Sequence, residues 1–188
     1  MSVTRTVAER YTVRHGGEYA AILLNEWTEP GEKYPRYLGE IAINSSFGSW
    51  ANQWSACGMP FRAFLAQLDT GYLMDKLAGA SAYVFDGSAS MSLAFGKVLK
   101  ARRQREIDPN EARDLWDALI DVQDEAASGS SLFIHLLSGI EDKHGILDEP
   151  WYMVTEKKEN PQLAGFLREL WPEFIAALEA DIIEHSNG

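Results

Sequence analysis

The sequence predicts an α+β fold, with a small N-terminal antiparallel sheet of three to four strands packed by a helical C-terminal part of about five helices. Three observations predict it. Strand-like runs flank a Gly-Gly pair near the N-terminus. The hydrophobic spacing turns helical at Pro60. Two cap-and-proline starts, Asp108-Pro109 and Asn160-Pro161, precede long helical stretches.

The strands come first. Tyr11–His15 alternates, with Tyr11, Val13 and His15 on one face. Gly16-Gly17 follows, a two-residue hairpin signal because primed turns need positive φ. The apolar run Tyr19–Trp27 is the second strand, and Pro30-Gly31 turns the loop after it. A third strand is expected over about Gly39–Phe47, with Ile41 and Ile43 on one face. The segment Ser45–Trp54, rich in small and aromatic residues, bends into a short fourth strand with Gly48 at a bulge.

From Pro60, the residues Phe61, Phe64, Leu65, Leu68, Tyr72 and Leu77 keep helical spacing. Gly71 is the expected break and Gly79 the stop. Ala82–Asp86 is a short strand or connector, and Asp86-Gly87-Ser88 caps a helix over about 89–104. The next helix opens with Asp108 as N-cap, Pro109 at N1 and Glu111 at N3, a capping box. Leu132 to about Ile140 is a short apolar helix, and a looser stretch runs on to Val154. The last helical face, Leu163 to Ile182, contains Pro172, so it is either kinked or two abutting helices. The chain reads as a single domain over 1–188, strand-rich to about 58 and helical from about 59.

Composition supports a packed core. The 188 residues are 46% apolar with six Trp and eight Phe, too many for a disordered chain. Cys57 is the sole cysteine, so no intramolecular disulfide is possible. It lies among Trp54, Met59 and Phe61, where a buried, inert thiol is expected. The N-terminus has no apolar signal region, and no apolar run approaches the roughly 18 residues that span a bilayer, so a cytoplasmic protein is expected.

The net charge of −11 is uneven along the chain. Residues 1–105 hold 12 Lys+Arg and 9 Asp+Glu, whereas residues 106–188 hold 5 and 19. The boundary is a basic run, Lys97, Lys100, Arg102, Arg103 and Arg105, followed at once by acids. Cations at a helix end and anions at the next helix start both suit the helix dipole. Asp114, Asp117, Asp121 and Asp124, spaced three, four and three residues apart, share one helix face. Such spacing costs roughly 0.2–0.5 kcal/mol per like-charged pair. The face is either solvated, paired with Arg102, Arg103 and Arg105, or built to meet a basic partner whose arginines recognise anions.

Familiar chemistry is missing from the sequence. Neither the G-x-S-x-G elbow nor a phosphate-binding glycine loop occurs. His15, His135, His144 and His185 have no metal-ligand spacing, so no metal and no cofactor is expected.

Gly39 to Trp50, with Trp54, Gly58, Phe64, Leu65, Leu68, Asp69, Tyr72, Lys76, Leu77 and Gly79, resembles a family of accessory proteins from tailed bacteriophages and prophages. The resemblance covers roughly residues 10–80. It implies a phage accessory role, of the kind that binds host machinery, and brings no activity to any residue. The leading expectation is a non-enzymatic interaction module, a phage-encoded inhibitor of a host nucleic-acid-binding complex that acts through Asp114, Asp117, Asp121 and Asp124. Two alternatives stay open: an enzyme with its site near Ser45–Trp54, and a nucleic-acid-binding protein that uses Lys97–Arg105. The long C-terminal apolar face also leaves a homo-oligomer open.

Overall fold

The computed structural model describes residues 3–148, 150–151 and 155–186. In chain order the elements are β1 (Glu9–His15), β2 (Glu18–Glu29), β3 (Arg36–Ser45), β4 (Gly48–Trp54), α1 (Phe61–Ala66) and α2 (Thr70–Ala78). A 3₁₀ turn (Gly79–Ala82) leads to β5 (Tyr83–Phe85), α3 (Gly87–Gln104), α4 (Pro109–Ala126) and α5 (Ser130–Ser138). The chain ends with β6 (Lys157–Glu159), α6 (Pro161–Glu169) and α7 (Trp171–Ser186). The fold is α+β, as the sequence predicts, and it packs as two compact units. One comprises residues up to Ala82 together with those from Glu159 onward, and the other is Tyr83–Lys158.

The first unit holds a four-stranded antiparallel sheet in the order β1-β2-β3-β4. Gly16 (φ 58°) and Gly17 (φ 93°) make the β1–β2 turn, both in the region that side chains avoid. That turn sets Val13 opposite Ala20, and the next hairpin sets Ile22 opposite Ile43. With a period of two, Val13, Ala20, Ile22, Leu24, Ile41 and Ile43 fall on one face, and all are buried. The other face carries Arg10, Thr12, Leu23, Ala42 and Ala51 and is exposed, the usual state of a one-sided antiparallel sheet.

α1, α2, α6 and α7 cover the apolar face, supplying Phe61, Leu65, Leu73, Phe166 and Phe174 to its core. Gly39 makes the approach of α1 possible: a Cβ there would lie 2.3 Å from the Phe61 ring. Three details differ from the sequence reading. The α1–α2 break comes at Asp69, whose side chain accepts from Tyr72 N–H and caps α2, and Gly71 lies inside that helix. Gly48 is no bulge, since it pairs with Ser45 across a two-residue turn. Of the two alternatives for Pro172, two helices are observed: α6 closes at Leu170 and Pro172 lies in the first turn of α7, where its missing N–H costs nothing.

The second unit has its own core, in which Ala94, Val98, Leu119, Phe133, Leu137 and Trp151 are buried. α3 and α4 form a helical hairpin in which Phe95 meets Trp116 at 4.5 Å between ring centroids. Phe133 meets Trp151 edge to face at 5.3 Å. Buried Ser90 is satisfied by the N–H of Glu156 at 2.9 Å. β5 pairs with β6, a short strand that the sequence does not announce. Residues 152–154 of the stretch read as loose lie outside the described residues. The chain divides between the packed units at two points, after Ala82 and after Lys158, and neither coincides with the change from strand-rich to helix-rich sequence near residue 58.

Candidate functional site

The start of α4 is strongly specified. Asp108 accepts from the N–H groups of Asn110 (2.7 Å) and Glu111 (3.0 Å), and Glu111 accepts from the N–H of Asp108 (2.9 Å). These bonds favour the ionised forms. The N–H groups of Glu111 and Asn110 hold the Asp108 carboxyl below its usual range. The Asp108 N–H, and then the His144 ring 2.9 Å away, do the same for Glu111.

Once α4 has started, its period decides the rest. Leu115 and Leu119 turn inward and are buried, while Asp114, Asp117, Asp121 and Asp124 are all exposed. Ten residues of helix separate the first from the last, about 15 Å at 1.5 Å per residue. Among the described residues none of the four lies within ion-pair distance of a cation. Asp117 shares a groove with Arg102 yet forms no ion pair with it.

The basic run does not form one face. At 100° per residue, Lys97, Lys100, Arg102 and Arg103 spread most of the way around α3. Lys97 lies over the Trp151 ring, 5.8 Å from its centroid. Arg105 ends the helix in the left-handed region (φ 60°). Its N–H reaches the Arg102 carbonyl at 3.3 Å, and the N–H of Glu106 reaches that of Ala101 at 3.0 Å. This is a Schellman closure, so the residue has a backbone task.

The Ser45–Trp54 segment is occupied by its own hairpin. Ser45 Oγ donates to the Gly48 carbonyl at 2.9 Å and accepts from the N–H groups of Phe47 and Gly48 at 3.2 Å. Ser46 donates to Glu18, and Ser49 to Asn44 at 3.2 Å. Trp54 Nε1 donates to the Tyr72 hydroxyl at 3.1 Å, and Trp50 packs on Phe166. Cys57 is buried and burial pushes its thiol up, away from the reactive thiolate. His15 pairs with Glu173 at 3.1 Å. The His185 side chain lies outside the described residues. Among the described residues no group of three His, Cys, Asp or Glu is arranged to hold a metal.

One polar cluster escapes sequence reading altogether. Arg62 of α1, only 15% exposed at its side chain, contacts Glu9 at 2.5 Å, Glu26 at 2.8 Å and Asp181 at 3.7 Å. Its Nη1 also donates to the Tyr11 hydroxyl at 2.9 Å. Burial works against its charge, but bonds to Glu26 and Glu9 outweigh burial and hold the guanidinium above its usual range. The cluster draws on β1, β2, α1 and α7, so no local motif signals it. It joins the sheet to its helical cover.

Grouping by packed unit changes the charge map. The first unit holds 8 Lys+Arg against 14 Asp+Glu, and the second 9 against 14, nets of −6 and −5. The sequential contrast between halves arises because the basic run and the acidic helix are consecutive elements of one hairpin. What distinguishes α4 is the alignment of its carboxylates rather than the total charge around it.

These features define a class: an α+β protein of two packed units that presents an exposed acidic helix face. The chain belongs to a phage family, Phage_phiTE_072, whose family model matches residues 1–179. The match extends beyond the residue 10–80 stretch that carries the resemblance and takes in α4. No curated protein and no solved structure matches the chain. Among the described residues no helix is long and apolar enough to cross a membrane.

Proposed function

We propose that this phage protein is a non-enzymatic interaction module of the host cytoplasm, which inhibits a host nucleic-acid-binding complex through the exposed face of α4. The observation that carries this reading is the row Asp114, Asp117, Asp121 and Asp124, exposed and without cation partners among the described residues. Aspartate is a mediocre helix former, and like charges at this spacing oppose each other. A purely solvated face would gain stability from mixed Glu and Lys. Roughly one carboxylate per 5 Å of helix compares with one phosphate per about 3.4 Å of a DNA strand. An arginine-lined groove that binds phosphate also binds such a row, through the same bidentate contacts. Charge complementarity of this kind acts mainly on association rate and specificity.

Affinity capture from nuclease-treated host lysate tests the reading, with wild-type protein beside a variant in which the four aspartates become Asn. A nucleic-acid-binding partner retained by wild type and lost by the variant, both folded by circular dichroism, is the expected result. Equal capture by the two proteins refutes the role of this face.

A further inference from the structure

We infer that the groove beside the acidic row receives an amphipathic helix of a partner protein, with acidic residues in its first turn, apolar residues at its centre and basic residues in its last turn. This rests on the acidic-face reading and names the chemistry of what that face meets. The groove lies between α3 and α4, has a volume of about 420 Å³ and is lined by Leu99, Arg102, Arg113, Trp116, Asp117 and Ile120 among others. Leu99 is 43% exposed and Ile120 48%. Two large exposed aliphatic side chains, one from each helix, line this groove together with Trp116 and form an apolar anchor site of the kind that carries binding energy.

The charges around that anchor are ordered. Arg102 stands in the last turn of α3 and Arg113 near the start of α4, so cations gather at one end. Asp117 follows, and Asp124, two helical turns further, returns to the same side of α4 within about 20°. The α4 dipole adds positive character at the Arg end and negative character at the Asp end. A helix that lies parallel to α4 meets this pattern with the charge order helices favour, acids at the N-terminus and bases at the C-terminus. A nucleic acid matches neither the aspartates nor the apolar anchor.

Three synthetic helical peptides labelled for fluorescence anisotropy test this against the full chain. The first has Glu in its first turn, Leu at i and i+4 in the middle, and Arg in its last turn. The second replaces Leu by Gln, and the third exchanges the Glu and Arg ends. The first is expected to bind at least tenfold more tightly than either of the others. Ile120→Ser, with Leu99→Ser as a second variant, abolishes its advantage over the second peptide. Asp117→Asn with Asp124→Asn abolishes its advantage over the third. Both apolar positions are exposed, so unchanged thermal unfolding is expected and is checked. Equal binding of all three peptides, or no binding of the first, overturns the inference. If the Asn variants weaken all three alike while Ile120→Ser weakens none, the acidic-face reading survives and the groove does not. If Ile120→Ser acts while the Asn variants do not, the acidic-face reading fails and the dipolar partner with it.

Discussion

The Tyr11 hydroxyl donates a 2.5 Å hydrogen bond to Asp181, a residue of the last helix, while it accepts from Arg62. β1, α1 and α7 meet at this oxygen. The bond shows that the sheet is clamped to its helical cover by a polar contact as well as by the apolar core below, where Tyr11 also packs edge to face on Phe174 at 5.3 Å.

Tyr11→Phe keeps the ring and removes the hydroxyl, so its effect isolates the hydrogen bonds. We expect a loss of about 1–2 kcal/mol in urea unfolding at neutral pH. Burial and the bond to Asp181 push the Tyr11 pKa up to about 12 from 10.0. The unfolded chain therefore loses the phenolic proton first, and stability from this group is complete below pH about 10 and lost as pH rises through about 12. Stability should fall more steeply over that window in wild type than in Tyr11→Phe. Parallel slopes would show that folding does not raise the Tyr11 pKa.

Arg105 closes α3 with a positive φ, a conformation that costs a side chain more than it costs glycine. Arg105→Gly should raise stability by about 0.5–1 kcal/mol, read as a higher unfolding midpoint. A loss instead would show that the side chain has an energetic role beyond the turn.

Asp108 and Glu111 carry lowered pKa values because both carboxylates accept backbone N–H groups. Their stabilisation is present above the ordinary carboxyl range and disappears as pH falls through the lower folded-state values. Asp108→Asn keeps a capping oxygen without the charge. Protection of the Asn110 and Glu111 amides against hydrogen exchange, corrected for the intrinsic slowing of exchange at lower pH, should fall on acidification in wild type and change less in this variant.

Asp117 has like-charged neighbours on both sides along α4, at Asp114 and Asp121. Asp117→Asn relieves both but gives up the opposite charge of Arg113 four residues earlier, so a net stability gain of roughly 0.2–0.5 kcal/mol is expected from thermal unfolding. The same variant should lower capture of the partner. A gain in stability together with a loss of binding is the signature of a face kept for function. Loss of stability would place Asp117 in an internal contact.

The local signals in this chain are those that neighbouring residues decide among themselves. Gly16-Gly17 turns because primed turns need positive φ, and Asp108-Pro109 with Glu111 starts α4 because a cap needs only its own first turn. The exposure of Asp114, Asp117, Asp121 and Asp124 follows from helical period set against Leu115 and Leu119. These features were legible in the sequence because each depends on spacings of a few residues. The break at Asp69 is local in the same way, since its side chain caps the Tyr72 N–H, and a cap at that position lets Gly71 sit inside the first turn of α2.

Local spacing is enough to set the class: α+β, with its strands first, its helices capped and an aspartate row on one helix face. Tertiary structure alone decided that α3, α4 and α5 have their own core, that Arg62 gathers Glu9, Glu26 and Asp181, and that acidity is shared almost equally by the two units. It also decided that Leu99 and Ile120 face one groove beside Asp117. The physical reason is sequence separation. Backbone turns and helix periods are settled by interactions within a few residues, whereas a core or a charge cluster is settled by which distant elements bury the most apolar surface together.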